Sequence, residues 1–248
     1  MNYLIVGASS GLGRDLAYEF AKNSKNLTLV SRDKKDLEHL KSDIEIKYKV
    51  QVDIFDLDFS YQNNITNFIS EKKDIIKSFD GVLFPIGMMQ DNDTVKNNDE
   101  KLNRLISANF YCVAYFISKI LNIFEEKNKG VIVGFGSISG AVGRQVNTGY
   151  AAAKKALETY FESLIITNLN NNLKIQFYTL GYLDTNLSYD KKLLLPKGST
   201  KKLSKIVYKN LNLHGVKKFF PYWWFFIDYL IKILPFFITK KIIKYFKK

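Results

Sequence analysis

The sequence contains one cysteine and two histidines in 248 residues, and these shortages restrict its chemistry. A single cysteine, Cys112, excludes an intrachain disulfide, and its place in the run ANFYCVAYF predicts a buried, small apolar side chain. His39 and His214 stand alone, and no cluster has metal-ligand spacing, so no metal site is predicted. The N-terminus MNYLIVGASSG has no basic segment and no cleavage site, so we expect no signal peptide and a cytoplasmic location.

Acidic residues are also scarce. The chain has 24 of them against 37 lysines and arginines, which gives a net charge of +13. Because the lysines are spread along the whole chain and form no patch, we do not expect nucleic acid to be the partner. The charge favours anionic partners, including phosphorylated cofactors and anionic lipid.

Repeats, long linkers and low-complexity segments are absent, and strand-like apolar runs alternate with helix-length segments over the first 180 residues. The predicted strands are Tyr3–Val6, Leu27–Val30, Val50–Ile54, Gly81–Phe84, Val131–Phe135 and Ile175–Leu180. The predicted helices are Leu12–Asn23, Asp33–Lys47, Asn63–Ser78, Asp99–Glu125, Tyr150–Asn168 and Ser199–Leu211. This alternation predicts an α/β fold, a doubly wound parallel sheet with helices on both faces. We expect one domain over residues 1–218, followed by a helical extension over residues 219–248.

The segment LIVGASSGLGRDLA places three glycines directly after the first strand and at the start of a helix. Glycines let the backbone turn tightly and approach a pyrophosphate, which the free N–H groups of the helix N-terminus can bind. This position is typical of a Rossmann-type dinucleotide site, although a tight turn without a ligand has the same pattern. The predicted contacts in this loop are Gly7, Ser9, Ser10, Gly11, Leu12 and Gly13.

The end of the second strand indicates which dinucleotide is bound. An NAD site usually has an acidic residue there, whereas this chain has Ser31 followed by Arg32. A small side chain leaves room for a 2′-phosphate, and a guanidinium can bind it through paired hydrogen bonds, so NADP(H) is favoured over NAD(H). Asp33 conflicts with this choice unless it caps the next helix. Asp56 follows the third strand and is expected either to contact the adenine or, like Asp58, to cap a helix.

The segment GSISGAVGRQVNTGYAAAKKALETY places Tyr150 and Lys154 four residues apart, on one face of a predicted helix. A tyrosine with a pKa of about 10 is a poor acid–base group at neutral pH, and a nearby ammonium group favours its phenolate. Ser137 ends the fifth strand, where its hydroxyl can bind a substrate oxygen. Asn109 is expected to hold a water molecule or a backbone group in a proton relay.

Taken together, GASSGLG, Asn109, Ser137 and the Tyr150-to-Lys154 segment resemble the short-chain dehydrogenase/reductase family, in order from about Tyr3 to Thr185. The resemblance implies hydride transfer between a nicotinamide and a carbonyl or alcohol, with Asn109, Ser137, Tyr150 and Lys154 as the catalytic tetrad. It also implies that Thr185 contacts the nicotinamide carboxamide. Two departures from the family pattern, Phe84-Pro85-Ile86-Gly87 and Leu180, leave the four tetrad positions themselves unchanged.

Residues 219–248 are rich in aromatic residues and end in lysines. A membrane span needs about 20 predominantly apolar residues, and Asp228, Lys232 and Pro235 interrupt this stretch, so we do not expect a span. Asp228 and Lys232 share one face of a predicted helix over Tyr222–Leu234. The apolar surface that remains consists of Trp223, Phe226, Ile227, Leu230 and Leu234.

Basic and apolar residues alternate after Pro235, which is typical of a helix that lies in the headgroup region. The basic residues are Lys240, Lys241, Lys244, Lys247 and Lys248. We therefore expect peripheral contact with the inner face of the cytoplasmic membrane. The alternative is that residues 219–248 pack on the body or on a second subunit, and both arrangements can coexist. We also expect the protein to form a homo-oligomer.

A narrower resemblance concerns the substrate. FPIGMMQD, VGRQVNTGYAAAKKALETYF and the aromatic, lysine-rich tail are similar to reductases of the decaprenylphosphoryl-ribose 2-epimerase type. That resemblance implies a keto-sugar carried on a polyprenyl phosphate. The alternatives are other lipid-handling reductases, such as those for 3-ketosphinganine or retinal, and reductases of soluble sugars or small ketones. A non-catalytic dinucleotide-binding protein at the membrane surface is the alternative of a different class.

Overall fold

The computed structural model describes residues 1–168, 172–185 and 195–245, which include a seven-stranded parallel sheet. Its order is β3-β2-β1-β4-β5-β6-β7, with helices on both faces, so the predicted doubly wound fold is confirmed. The strands are β1 Asn2–Val6, β2 Asn26–Ser31, β3 Val52–Asp56, β4 Phe79–Phe84, β5 Gly130–Ser137, β6 Leu173–Leu180 and β7 Val216–Phe220.

The helices follow the predicted alternation, with two interruptions. The helices are α1 Gly11–Lys22, α2 Lys34–Tyr48, α3 Gln62–Glu71, α4 Lys73–Ser78, α5 Asp99–Ile106, α6 Cys112–Glu126, α7 Thr148–Thr167, α8 Thr200–Lys209, α9 Trp224–Ile233 and α10 Phe236–Tyr245. The predicted helix over residues 63–78 is divided at Lys72 into α3 and α4. A π-helical turn, Ser107–Tyr111, separates α5 from α6, and a 3₁₀ turn, Ile138–Ala141, follows β5.

Strand β7 has no counterpart among the predicted elements. It pairs with β6 at the edge of the sheet, and its sequence VKKFF has two exposed lysines and a single buried residue. Lysine is a common residue on edge strands, where it discourages pairing with other chains, and such a strand lacks the apolar run that marks a central one. The predicted boundary at residue 218 falls inside this strand.

The core has two layers, one on each face of the sheet, because successive strand side chains point to opposite faces. In β1, Tyr3 and Ile5 join the layer beneath α1, α2 and α8, whereas Leu4 and Val6 join the layer that contains α6 and α7. Cys112 is fully buried in the second layer, as its apolar surroundings predict.

Helices α9 and α10 are separated by Pro235, as the sequence predicts, and α9 packs against the 3₁₀ turn after β5. Asp228 and Lys232 share one face of α9, as predicted, with Lys232 Nζ 2.6 Å from Asp228 Oδ2. Asp228 faces the body and is only 7% exposed. Trp224, one turn earlier, is buried on the same inner face. Lys247 and Lys248 lie outside the described residues.

The outward side of α9 and α10 is apolar. The large exposed side chains there are Phe225, Phe226, Tyr229, Leu230, Ile233, Phe236 and Phe237, which we call the tail face. Each of the two helices has 10 residues, too few to cross a bilayer. By length and hydropathy alone, the continuous helical stretch Asp99–Glu126 is long enough to cross one, but six α6 side chains in it are buried in the core.

Candidate active site

The main cleft lies at the carboxyl ends of the parallel strands and has a volume of about 490 Å³. Ligands bind at this edge in doubly wound sheets, where helices diverge to the two faces. Nine of the predicted site residues line it together: Gly7, Ser9, Ser10, Gly11, Leu12, Ser31, Arg32, Ser137 and Thr185. Tyr150 and Lys154 also line it, whereas Gly13, Asp56 and Asn109 do not.

The glycine loop leaves an open cradle. Gly7 and Gly11 have φ angles of +89° and +51°, in the region that favours glycine. Gly13 has a packing role, since a Cβ there would lie 2.0 Å from the carbonyl oxygen of Gly7. The N-cap of α1, Ser10, makes no side-chain hydrogen bond to the helix, so its hydroxyl does not occupy the first N–H groups. These features fit the pyrophosphate of a dinucleotide.

At the end of β2, the Ser31 hydroxyl donates a hydrogen bond to Ser9 Oγ at 2.7 Å, which joins the strand end to the glycine loop. Arg32 is exposed and lines the cleft. Asp33 caps α2, because its Oδ1 accepts a hydrogen bond from the backbone N–H of Asp36 at 2.9 Å. The carboxylate that conflicted with NADP is therefore occupied in capping.

The two aspartates after the third strand have different positions. Asp56 ends β3, is exposed and lies outside the cleft lining, so the structure does not bring it to the predicted cofactor site. Asp58 lines the cleft, accepts hydrogen bonds from the Ser60 backbone N–H and hydroxyl, and lies 3.6 Å from Arg104. Neither aspartate caps α3, whose N-cap is Tyr61.

Tyr150 and Lys154 lie on the first turns of α7 and are both buried. Burial raises the pKa of Tyr150, and a hydrogen bond with the Ser137 side chain and the charge of Arg144 act against that rise. Lys154 Nζ donates to the carbonyl oxygens of Ile86 at 2.9 Å and Phe135 at 3.0 Å. Burial lowers the pKa of Lys154 to about 7.

Asn109 lies in the π-helical turn and is fully buried. Its Oδ1 accepts from the backbone N–H of Met88 at 3.0 Å, and its Nδ2 donates to the carbonyl oxygens of Met88 at 2.8 Å and Leu105 at 2.9 Å. Because Ile86, two residues before Met88, accepts a hydrogen bond from Lys154, Asn109 fixes the loop that positions the lysine.

Asp93, which the sequence did not single out, fixes the start of α7. Its carboxylate accepts hydrogen bonds from the backbone N–H groups of Gly149 and Tyr150, both at 2.9 Å, from Thr148 Oγ1 at 3.0 Å and from Asn97 Nδ2 at 2.7 Å. Burial opposes ionisation of this carboxyl, but the hydrogen bonds outweigh it and hold its pKa below the usual value. The residue acts as a cap for α7 from a separate loop.

The sequence gives little sign of this contact, since Asp93 and Tyr150 are 57 residues apart. In the structure, α7 starts after Asn147, whose side chain makes no capping hydrogen bond and whose φ is +59°. A helix without a cap of its own requires a partner from elsewhere.

Arg144 is the second site residue that the sequence analysis did not select. It lines the cleft together with Tyr150, and it also lines an adjoining groove of about 480 Å³ between α7 and α10. Its Nε and Nη2 atoms are buried and have no hydrogen-bond partner among the described residues. The available signal was its position in the segment between Ser137 and Tyr150.

Among curated proteins, the chain is 29% identical over 187 residues to an NADP-dependent 3-hydroxy acid dehydrogenase of Schizosaccharomyces pombe, covering 75% of this chain and 72% of that one. Among solved structures, it superposes on a short-chain dehydrogenase from Sphingobium yanoikuyae in complex with NADPH, with a TM-score of 0.81, 20% identity and coverage of 94% and 96%. It also superposes on a bulky-bulky ketone specific alcohol dehydrogenase from Comamonas testosteroni, with a TM-score of 0.80, 23% identity and coverage of 95% of both chains.

These structural likenesses are below 25% identity and establish the fold. The family assignment comes from the match of residues 2–193 to the family described as short chain dehydrogenase. The match covers the predicted contacts in the glycine loop, the tetrad positions and Thr185, and all of these residues except Gly13 and Asn109 line the cleft. The chain is therefore a member of the short-chain dehydrogenase/reductase family, a group of NAD(P)-dependent oxidoreductases.

Proposed function

We propose that this protein is an NADP(H)-dependent reductase that converts a ketone to an alcohol, with Tyr150 as the proton donor. The observation that carries the proposal is the group formed by half-buried Ser137 with buried Tyr150 and Lys154, at the end of the cleft opposite the Arg32 side. In this arrangement an oxygen atom held by Ser137 and Tyr150 lies beside a proton donor, and bulk water has little access.

Each side chain has a separate task in this reaction. The bound cofactor supplies the hydride. Ser137 and Tyr150 hold the ketone oxygen by hydrogen bonds, and the Tyr150 hydroxyl gives its proton as negative charge develops there. Lys154, fixed by the carbonyl oxygens of Ile86 and Phe135, holds the cofactor ribose and passes a proton towards the tyrosine. Asn109 keeps the Ile86–Met88 loop in place.

The choice of NADP(H) rests on the end of β2. Ser31 leaves space, Arg32 supplies an exposed guanidinium at the cleft, and Asp33 is engaged in capping α2. The NADP-dependent relative from Schizosaccharomyces pombe and the NADPH complex from Sphingobium yanoikuyae support the same choice.

We further propose that the substrate is carried by a membrane, as a lipid-linked sugar or a comparable lipid. Two observations support this. The tail face exposes seven large apolar side chains, and lysines follow it in α10. Phe236 and Ile243 of α10 also form a wall of the groove that adjoins the cleft, so the surface that would contact the lipid lies beside the active site. The narrower resemblance to reductases of polyprenyl-linked keto-sugars agrees with this proposal.

The reductase proposal is tested with Tyr150→Phe. NADPH oxidation is followed on lipid-linked and soluble ketones, and NADPH binding is measured by fluorescence. We expect turnover to fall by about 10²–10⁴-fold, as for loss of a general acid, while NADPH affinity stays within about threefold. Full turnover by the variant would remove Tyr150 from the proposed role.

The membrane proposal is tested by co-sedimentation with vesicles that contain anionic lipid. Phe226→Ser and Phe237→Ser change side chains that are each 64% exposed on the tail face, and Ile166→Ser changes one that is 68% exposed on α7. We expect the double variant Phe226→Ser/Phe237→Ser to pellet less than the wild type. The Ile166→Ser variant should pellet as much as the wild type. Equal pelleting by all three would contradict membrane contact, and a loss of oligomers without a loss of pelleting would assign the tail face to a second copy.

A further inference from the structure

Arg144 is partly exposed, but two of its side-chain nitrogens are buried and have no partner in the described part of the chain. The residue lies in the loop that follows the 3₁₀ turn after β5, and no ion pair or hydrogen bond to its buried Nε and Nη2 atoms occurs among the described residues. A guanidinium is a cation, and N–H groups of a cation that are buried without an acceptor are costly. Such a group is stabilised when an anion binds to it.

The surroundings of Arg144 have few acidic groups. Among the described residues that line the cleft and the groove, the one carboxylate is Asp58, which lies on the β3 side and pairs with Arg104. The groove adds two more cations, Lys155 and Lys240. Lys155 pairs with Glu158 at 2.9 Å, whereas Lys240 has no ion pair among the described residues. The carboxylate of Asp93 lies nearby but does not line either cavity, and it already accepts four hydrogen bonds from Asn97, Thr148, Gly149 and Tyr150. The charges that line the cleft and the groove near Arg144 therefore favour an anionic ligand.

The cofactor does not account for this anion. The 2′-phosphate is assigned to Arg32 after β2, and the pyrophosphate to the start of α1, whereas Arg144 follows β5. In the sheet order β2-β1-β4-β5, the carboxyl end of β2, next to Arg32, is separated from the carboxyl end of β5 by three inter-strand spacings, or about 14 Å. Arg144 instead lies beside Tyr150, near enough for its charge to favour the phenolate. An anion at Arg144 is therefore next to the position of the reacting carbonyl.

We propose that Arg144 binds a carboxylate or phosphate group of the substrate, so that the enzyme selects ketones that carry an anionic group near the carbonyl. The inference rests on the proposed reductase function and adds the class of substrate. The planar fork of the guanidinium suits the two oxygens of either group, which a lysine would bind less specifically. Arg144 is in this view a substrate-binding residue, and proton transfer stays with Tyr150.

The test compares ketone pairs that differ in charge. Acetoacetate and its methyl ester form the carboxylate pair, and dihydroxyacetone phosphate and dihydroxyacetone form the phosphate pair. For each pair, the ratio of kcat/KM, anionic over neutral, is measured for the wild type, Arg144→Gln and Arg144→Lys. We expect the ratio of the preferred pair to fall by about 10- to 100-fold in the glutamine variant, as for loss of a charge-assisted hydrogen bond, and less in the lysine variant.

The control is Lys205→Gln, which removes one positive charge from the exposed side of α8. It should leave the ratio unchanged. If Arg144 acts only on the pKa of Tyr150, both members of a pair slow down equally in Arg144→Gln, the ratio stays constant, and the proposal is overturned.

A second measurement does not depend on turnover. Sodium acetate and inorganic phosphate are titrated into the NADP⁺ complex, and protein fluorescence reports binding, since Trp224 contacts the cleft residue Tyr182. We expect saturable binding of at least one anion that weakens about tenfold or more in Arg144→Gln. Equal anion affinities of the wild type and Arg144→Gln would overturn the proposal. If no ketone is reduced by the wild type, the reductase function fails, and the titration still decides the role of Arg144.

Discussion

Asp93 is expected to hold the catalytic helix in place, and its replacement should damage stability and catalysis together. The residue belongs to the loop after β4, yet its carboxylate receives the first backbone N–H groups of α7 at Gly149 and Tyr150. Asp93→Ala removes both acceptors. The start of α7, which carries Tyr150, is then free to fray.

The magnitude follows from the contacts. Loss of a helix cap costs about 1–2 kcal/mol, and buried donors left without an acceptor cost about 1–3 kcal/mol more. We expect Asp93→Ala to lower the free energy of unfolding by about 2–4 kcal/mol, measured by urea denaturation of the apoprotein. Asp93→Asn keeps one carbonyl acceptor and should lose about 1–2 kcal/mol. In both variants kcat should fall more than NADPH affinity, since Tyr150 is displaced and the glycine loop is not.

The effect should depend on pH. Hydrogen bonds to the ionised form hold the pKa of Asp93 below its usual value, so the unfolded chain takes up the proton first as pH falls. The stabilisation by ionised Asp93 is therefore complete above about pH 4 and fades as pH falls through the native pKa. The stability difference between wild type and Asp93→Asn should shrink in the same range.

A matched control is Asn98→Ala, which removes the exposed cap of α5, a single hydrogen bond to Lys101 N at 2.9 Å. Its cost should be about 0.5–1 kcal/mol without a fall in kcat. The reasoning would be refuted if Asp93→Ala cost no more than this control, or if its stability deficit were independent of pH down to pH 3.

Two further predictions concern the cofactor and the tail. Arg32→Ala should weaken NADPH binding by about 10- to 100-fold and leave NADH binding within about twofold, measured by fluorescence titration, and equal losses for both would contradict the NADP assignment. Gly181→Ala should destabilise the protein by about 1–3 kcal/mol, because the new Cβ would lie 1.7 Å from Trp224 Nε1 and force α9 away from the body. Gly143→Ala, where nothing lies within 4 Å of the added Cβ, should be nearly neutral, and equal stability of the two variants would show that Trp224 does not anchor α9.

The central part of the fold was predictable because its signals are local. Buried parallel strands such as β1 and β5 are apolar on both faces, and the glycines after β1 stand where the turn requires them. The edge strand β7 was not predicted, because its two exposed lysines interrupt the apolar run that marks a buried strand. The buried side of α9, which includes Asp228, is likewise known only from the structure, because which face of an aromatic-rich helix is buried depends on the partner surface.

The sequence by itself determined the doubly wound sheet, the glycine loop, and the Tyr150 and Lys154 pair on one helix face, since each depends on residues a few positions apart. Only the tertiary structure revealed Asp93 under the start of α7, Asn109 behind the lysine loop, and the two buried nitrogens of Arg144 that have no partner among the described residues. Those roles depend on contacts between residues far apart in the chain and on which atoms lose their water. Spacing within a sequence carries no record of either.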